Sequence, residues 1–180
     1  MRKTKKLTLG AMMIAIGVLF MALGYFIEAL DLTVAALLSL IMAFMFIEVG
    51  SPYTYAVWLG TSALGAVFFT GSFVWLTYFL IFGIYPILKA YIEKLPRGFW
   101  LIVKLVFFNI AFVLLIVFSE FILGTPFFTV SEGYEDSANL IKAAFAAAFN
   151  VAFVIYDIFM TLMIKTYLVR FRPKFSRLLK

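Results

Sequence analysis

Residues 105–118 read LVFFNIAFVLLIVF, an apolar run in which Asn109 is the only polar residue. A membrane-spanning helix needs about 20 mainly apolar residues, whereas a strand of a membrane barrel alternates polar and apolar side chains. This run does not alternate, and beyond Lys104 on one side and Ser119 and Glu120 on the other the chain is again apolar. It therefore predicts a helix that spans a lipid bilayer.

The composition extends this prediction to the whole chain. Of its 180 residues, 66% are hydrophobic and 13% are charged. Soluble domains carry about 25% charged residues, which cover the surface that faces water. This chain has too few charges to do so, and most of its surface must therefore face lipid.

Polar residues, glycines and prolines divide the chain into six apolar runs. A length of 180 residues suits one compact helical domain, so residues 1–180 are interpreted as a single membrane domain. We expect an all-α, polytopic membrane protein, a bundle of six transmembrane helices. The predicted helices cover residues 7–27, 32–47, 53–69, 73–95, 99–123 and 138–168.

The basic residues predict how the chain lies in the membrane. All of the 15 Lys and Arg residues except Lys142 lie at the N-terminus, around the loop between the fourth and fifth runs, or in the C-terminal tail. Basic segments stay on the cytoplasmic side of a membrane, and an even number of spans places both termini there. The sequence thus predicts a multi-pass protein of the cell membrane, in a prokaryote the plasma membrane, with both termini inside.

The net charge of +6 and the absence of some residue types narrow the function. The basic residues flank apolar runs, where they contact anionic membrane lipid, so no nucleic-acid partner is expected. The chain contains no cysteine and no histidine, which excludes thiolate ligands, cysteine nucleophiles and imidazole proton shuttles. We therefore expect neither a metal nor a cofactor, and no enzymatic activity.

Two small residues in the first helix, Ala11 and Ala15, lie four positions apart. Small residues at this spacing form a flat stripe on which another helix can pack, and the simplest partner is a helix of the same bundle. Together with the basic start, six short helices, cytoplasmic termini and a length near 180 residues, the pair resembles the S components of energy-coupling-factor (ECF) vitamin transporters.

This resemblance implies a function and partners. An S component is the small membrane subunit that captures a vitamin or similar micronutrient, while a transmembrane coupling subunit and two ATPase subunits supply the energy. The resemblance implies that Ala11 and Ala15 dock on the coupling subunit. The chain itself has no Gly-x-x-x-x-Gly-Lys phosphate loop, so ATP hydrolysis would fall to its partners.

The resemblance further implies a substrate pocket at the outer ends of helices four to six and in the outer loops. Aromatic rings there suit stacking on a flat solute, although an interfacial aromatic belt has the same composition. The excess of acids over bases on the outer side favours a neutral or cationic ligand. The candidate pocket residues are Trp75, Tyr78, Glu120, Tyr134, Asn139 and Lys142.

Four polar residues lie deep in the predicted spans, where ionisable groups are costly and often functional. We expect Lys104 to reach Asp157 and form a buried ion pair that joins helices five and six; proton or cation coupling through Asp157 is the alternative. We expect Asn109 and Asn150 to form amide hydrogen bonds between helices, with a ligand site as the alternative.

Three functions follow from these patterns. The first is a substrate-capturing membrane subunit of an ECF-type importer. The second is a non-transporting scaffold or assembly factor of the cell envelope, which needs no pocket. The third is a small ion-coupled carrier centred on Asp157.

Overall fold

The computed structural model describes residues 3–124 and 138–173 of the chain, and these residues form helices without any strand. The α-helices are α1 (Lys3–Phe26), α2 (Asp31–Glu48), α3 (Ser51–Phe68), α4 (Phe73–Thr77), α5 (Tyr85–Ile92), α6 (Trp100–Phe118) and α7 (Ala138–Thr166). Turns of π-helix extend α4, α6 and α7, and they cover Tyr78–Phe82, Ser119–Leu123 and Tyr167–Phe171. Short 3₁₀ turns precede α2 and α6, at Glu28–Leu30 and Arg97–Phe99.

Five helical segments in the described part of the chain are long and apolar enough to cross a membrane. They are Lys3–Phe26, Asp31–Glu48, Phe73–Ile92, Arg97–Phe121 and Asn139–Phe171. This confirms the prediction of an all-α chain with several candidate membrane spans.

The third predicted span has a different character. Helix α3 is 18 residues long, as α2 is, but it begins with Ser51, Pro52, Tyr53 and Thr54. This polar first turn lowers its mean hydropathy, and α3 is not among the five candidate spans. A count of six spans and the cytoplasmic position of both termini thus stay predictions.

The fourth predicted helix, residues 73–95, is interrupted in the structure. Helix α4 passes into a π-helical turn, and α5 then starts at Tyr85 and ends at Ile92. Pro86 explains the break, because proline has no N–H for the helical hydrogen bond and its ring crowds the preceding turn. The amide of Gly83 instead donates to the carbonyl of Tyr78, at 2.7 Å.

Helix α1 approaches its neighbours through glycines. Gly17 and Gly24 are both buried, and they lie seven residues apart on one side of α1. A Cβ atom at Gly17 would lie 2.9 Å from Cγ2 of Thr61, and one at Gly24 would lie 2.9 Å from Cγ2 of Val74. Only glycine permits helices to pack this closely. Ala11 and Ala15, by contrast, are exposed and do not contribute to this packing.

Two hydrophobic clusters form the core, and α2, which contacts α1, α3, α4, α5 and α7, supplies buried residues to the first of them. The first cluster joins the N-terminal helices, and its buried residues include Met21, Leu38, Met42, Met45, Val57, Val74 and Tyr78. The second joins the π-turn after α4 with α5, α6 and α7, and its buried residues include Ile81, Tyr85, Phe108, Phe112, Leu115 and Phe153. This second, aromatic cluster holds the polar groups described below.

A leucine at Gly17 should destabilise the bundle, because its side chain would overlap Thr61. Overpacking of a well-packed core costs about 1–3 kcal/mol, so Gly17→Leu should lower the melting temperature of the purified protein in detergent. The matched control is Ala11→Leu on the exposed side of α1, which should melt as the unsubstituted protein does. Equal melting temperatures for the two variants would contradict the close packing of α1 on α3.

Candidate functional site

Four charged side chains from three helices meet in a buried charge cluster. Lys89 lies on α5 and Glu93 directly follows that helix; Lys104 lies on α6 and Asp157 on α7. Only 2% of the Lys89 side chain and 5% of the Lys104 side chain are exposed. The two carboxylates are less deeply buried, with 19% of Asp157 and 31% of Glu93 exposed.

Lys104 bridges the two acids. Its Nζ lies 2.9 Å from Oδ2 of Asp157 and 2.9 Å from Oε1 of Glu93. The ion pair between Lys104 and Asp157 that the sequence predicts is therefore present, and it joins α6 to α7. Glu93 is an additional partner, which connects both helices to the end of α5.

Lys89 makes a second bridge between the same acids. Its Nζ lies 2.9 Å from Oε1 of Glu93, and it also donates to Asp157 Oδ1 and, at 2.8 Å, to Thr161 Oγ1. An ammonium group has three N–H donors, so this set of acceptors satisfies it completely. The hydroxyl of Tyr85 donates to Asp157 Oδ1 at 2.5 Å, and this bond completes the cluster.

The cluster is neutral in sum, because two ammonium groups face two carboxylates. Burial of Glu93 raises the pKa of its carboxyl, but Lys89 and Lys104 outweigh this effect and hold the pKa below its usual range. A buried charge is tolerated when its partners and hydrogen bonds are complete, as they are for Lys89. This arrangement fits a lock that joins α5, α6 and α7.

The sequence reveals only part of this cluster. Lys89 and Glu93 are spaced four residues apart, which suits a helical ion pair, but they fall in the polar stretch expected at the membrane surface. Tyr85 and Thr161 carry no sequence signal for a buried site. Their role depends on how α5 is rotated toward α6 and α7, which follows from packing.

A pair of amides joins α6 and α7 closer to the middle of the two helices. Nδ2 of Asn109 donates to Oδ1 of Asn150 at 2.9 Å, and Nδ2 of Asn150 donates to Oδ1 of Asn109 at 3.1 Å. Each amide also donates to a backbone carbonyl four residues earlier in its own helix. The predicted hydrogen bond between helices is therefore confirmed.

An apolar cavity of about 160 Å³ lies beside the aromatic cluster. It is bounded by α2, the π-helical turn after α4, α6 and α7. Its walls are apolar. The lining residues are Leu32, Ala36, Phe82, Phe108, Phe149, Ala152, Phe153 and Tyr156.

The floor and the mouth of this cavity differ in exposure. Phe108 and Phe153 form the floor, where both are 3% exposed and their rings stack with centroids 4.1 Å apart. Leu32 is 41% exposed and Ala152 is also exposed, so the mouth lies between α2 and α7. A solute of the right shape would reach the aromatic floor through this gap.

Tyr156 lines the cavity with its ring. This ring meets Phe82 edge to face, with centroids 5.0 Å apart. The Tyr156 hydroxyl is buried beside Ser39 of α2 and does not reach the surface of the cavity. The accessible lining of the cavity is therefore entirely apolar.

The cavity and the charge cluster share a wall. The ring of Tyr85 packs against Phe153 and Tyr156, with centroids 5.0 and 5.6 Å away, while its hydroxyl donates to Asp157. Tyr156 and Asp157 are also neighbours in α7. The cluster therefore fixes the residues that form the inner end of the cavity.

The candidate pocket residues from the sequence lie in other places. Tyr78 is only 1% exposed and belongs to the first core cluster, and Trp75 donates from Nε1 to the carbonyl of Ser62 at 2.9 Å. Tyr134 lies outside the described residues, and none of the other five candidates lines this cavity. The remaining three are exposed on α7 or just after α6, and these are Glu120, Asn139 and Lys142. Their role in ligand binding stays a prediction.

Comparison with known proteins gives no independent assignment of this site. No protein-family model, curated protein or solved structure matches the chain. In the part of the chain that the structure describes, no group of three or more acidic residues is arranged to hold a metal ion. The chemistry of the site must therefore be argued from its own geometry.

Removing one member of the charge cluster should destabilise the protein more than removing an opposite pair. Asp157→Leu leaves Lys104 buried with only Glu93, and loss of one partner of a buried pair costs about 3–5 kcal/mol. The double variant Asp157→Leu with Lys104→Met keeps the neutral pair of Lys89 and Glu93. It should therefore recover much of the lost thermal stability in detergent.

The control for this experiment is Glu120→Leu, which removes an exposed acid and should leave the melting temperature unchanged. A double variant that is no more stable than Asp157→Leu alone would show that the ion pair is not what holds these helices together.

Proposed function

We propose that this chain is the substrate-capturing membrane subunit of an ECF-type importer for a vitamin or similar small micronutrient. The observation that carries the proposal is the aromatic cavity between α2 and α7, which has a buried floor and an accessible mouth. The exposed alanine pair on α1 supports the same function, because it offers a surface on which a partner subunit can dock.

The lining of the cavity defines the class of solute. Four of the eight lining residues are phenylalanines, and aromatic rings favour stacking or edge-to-face contact with a flat ring. A volume of about 160 Å³ is close to the roughly 150 Å³ cavity that accepts a benzene-sized molecule. The preferred solute is a small neutral compound with one aromatic ring.

The charge cluster favours a neutral solute as well. Its four charges compensate one another, and no charged side chain is among the residues that line the cavity. A charged solute would lose its hydration without gaining a partner, which is costly in an apolar site. Of the neutral or cationic ligands that the outer acidic residues favour, the apolar lining suits a neutral one.

The position of Ala11 and Ala15 supports docking on a second membrane subunit. The bundle's own helices pack against Gly17 and Gly24, and both alanines remain exposed on another side of α1. Because small side chains allow close approach of a helix, this exposed stripe suits a transmembrane partner. In an ECF-type complex that partner is the coupling subunit, which works with two ATPase subunits.

The two alternative functions make different demands on the structure. A scaffold of the cell envelope needs no cavity, so specific capture of a solute separates it from an importer. An ion-coupled carrier needs an acid that exchanges its ion during transport. Asp157 instead contacts Tyr85, Lys89 and Lys104 at once, which favours a structural role.

Filling the cavity should abolish capture of the solute. Ala36→Leu adds a bulky side chain to the lining, and mass spectrometry of the purified protein should then detect the co-purifying ring compound at less than about one tenth of its original level. Tyr156→Phe keeps the ring that lines the cavity and should retain the solute, because the hydroxyl does not reach the cavity surface.

The matched control is Ala148→Leu on the exposed side of α7, outside the lining, which should retain the solute. Absence of any bound small molecule from the unsubstituted protein, purified without delipidation from cells in rich medium, would contradict solute capture and favour the scaffold.

A large side chain on the alanine stripe should block docking without affecting capture. Ala11→Trp and Ala15→Trp should each abolish uptake by cells and co-purification of the coupling and ATPase subunits, because tryptophan prevents close helix approach. The co-purifying solute should remain bound. Ala63→Trp, an exposed alanine on α3, is the control and should preserve uptake. Normal uptake in both stripe variants would exclude docking through this surface.

A further inference from the structure

A second apolar groove lies between α2 and the C-terminal end of α7, separate from the aromatic cavity. Its volume is about 220 Å³. Both of its helices are candidate membrane spans, so the groove faces the space that lipid occupies. The lining residues are Leu40, Ala43, Phe44, Ile47, Met163, Ile164, Thr166, Tyr167 and Phe171.

The shape of the groove comes from a small residue between large ones. Ala43 is 7% exposed and lies among the lining residues on α2, where a larger side chain would take up the space. Phe44 meets Tyr167 edge to face, with ring centroids 5.5 Å apart. The result is an apolar slot with aromatic walls, which suits a flexible hydrocarbon chain.

Basic residues surround one end of the groove. Lys165, Arg170 and Arg172 are all exposed in the last turns of the helix. Arg170 follows Thr166 by four residues and directly precedes Phe171, and both of these residues line the groove, so Arg170 lies at its C-terminal end. This end of the chain thus carries an excess of positive charge directly beside apolar surface.

Glu48 holds part of this end in place. Its side chain is 8% exposed and lies at the end of α2, where Oε1 accepts a hydrogen bond from the Tyr167 hydroxyl at 3.1 Å. Nε of Arg172 lies 3.3 Å from the same oxygen, while half of the Arg172 side chain stays exposed. One acid against three bases leaves the mouth of the groove positive.

We propose that this groove binds one anionic phospholipid, with an acyl chain between α2 and α7 and the phosphate held by Arg170 and Arg172. Charge complementarity selects this occupant, because basic pockets between transmembrane helices bind anionic headgroups. The apolar slot explains why a lipid is preferred over a free anion. The lipid belongs to the leaflet in which the basic C-terminal turns lie, and the proposal does not depend on solute capture.

The test uses native mass spectrometry of the full chain in detergent, with dioleoyl phosphatidylglycerol as the anionic lipid and dioleoyl phosphatidylethanolamine as the zwitterionic one. The unsubstituted protein should retain one phosphatidylglycerol and bind phosphatidylethanolamine more weakly. Inorganic phosphate in excess should not displace the lipid, because it has no acyl chain.

Two variants address the two halves of the site. Arg170→Gln should weaken phosphatidylglycerol binding by about fivefold, as expected for one basic residue at an anionic surface. Ala43→Leu should weaken both lipids, because it fills the slot. The controls are Lys142→Gln, a basic residue at the other end of α7, and Ala63→Leu on an exposed side of α3, and neither should change retention.

Equal retention of phosphatidylglycerol in the unsubstituted protein and Arg170→Gln would overturn the proposal, as would equal affinity for the two lipids. Because Arg170 is exposed, the Arg170→Gln variant should fold, and it tests the proposal even if Ala43→Leu does not fold. Displacement of the lipid by inorganic phosphate would likewise overturn it and indicate a simple anion site.

Discussion

The compensation of buried charge constrains the C-terminal half of this protein most strongly. Lys89 and Lys104 are almost completely removed from solvent, and each is tolerated only because Glu93 and Asp157 lie within ion-pair distance. These side chains come from the C-terminal end of α5, from α6 and from α7. The three helices must therefore meet at one place, each with one rotation about its own axis. A hydrophobic contact alone would allow them to slide, whereas several directed bonds fix their register.

Tyr85 transmits this constraint to the aromatic cavity. Its hydroxyl belongs to the charge cluster, while its ring packs on Phe153 and Tyr156 at the inner end of the cavity. The π-helical turn at Tyr78–Phe82 and Pro86 interrupt the regular helix between α4 and α5, and α5 begins at Tyr85. A binding site built on such fixed elements keeps its shape when empty, which reduces the entropic cost of binding.

Helices α1 and α7 each have two distinct surfaces. In α1, buried glycines pack against the bundle, and Ala11 and Ala15 stay exposed on another side. In α7, one stretch borders the aromatic cavity, and the last turns border the groove toward α2.

The sequence by itself determined that the chain is helical with several candidate membrane spans, and it also predicted the ion pair of Lys104 with Asp157 and amide hydrogen bonds between helices from Asn109 and Asn150. Lipid cannot satisfy a charge or an amide, so deep polar residues on neighbouring helices must find each other. Only the tertiary structure decided that Lys89 and Glu93 join the cluster, that Tyr78 faces the core, and where the cavities lie. These features depend on how each helix is rotated about its own axis. A uniformly apolar helix has no polar stripe in its sequence to indicate this rotation, so packing against the neighbouring helices decides it.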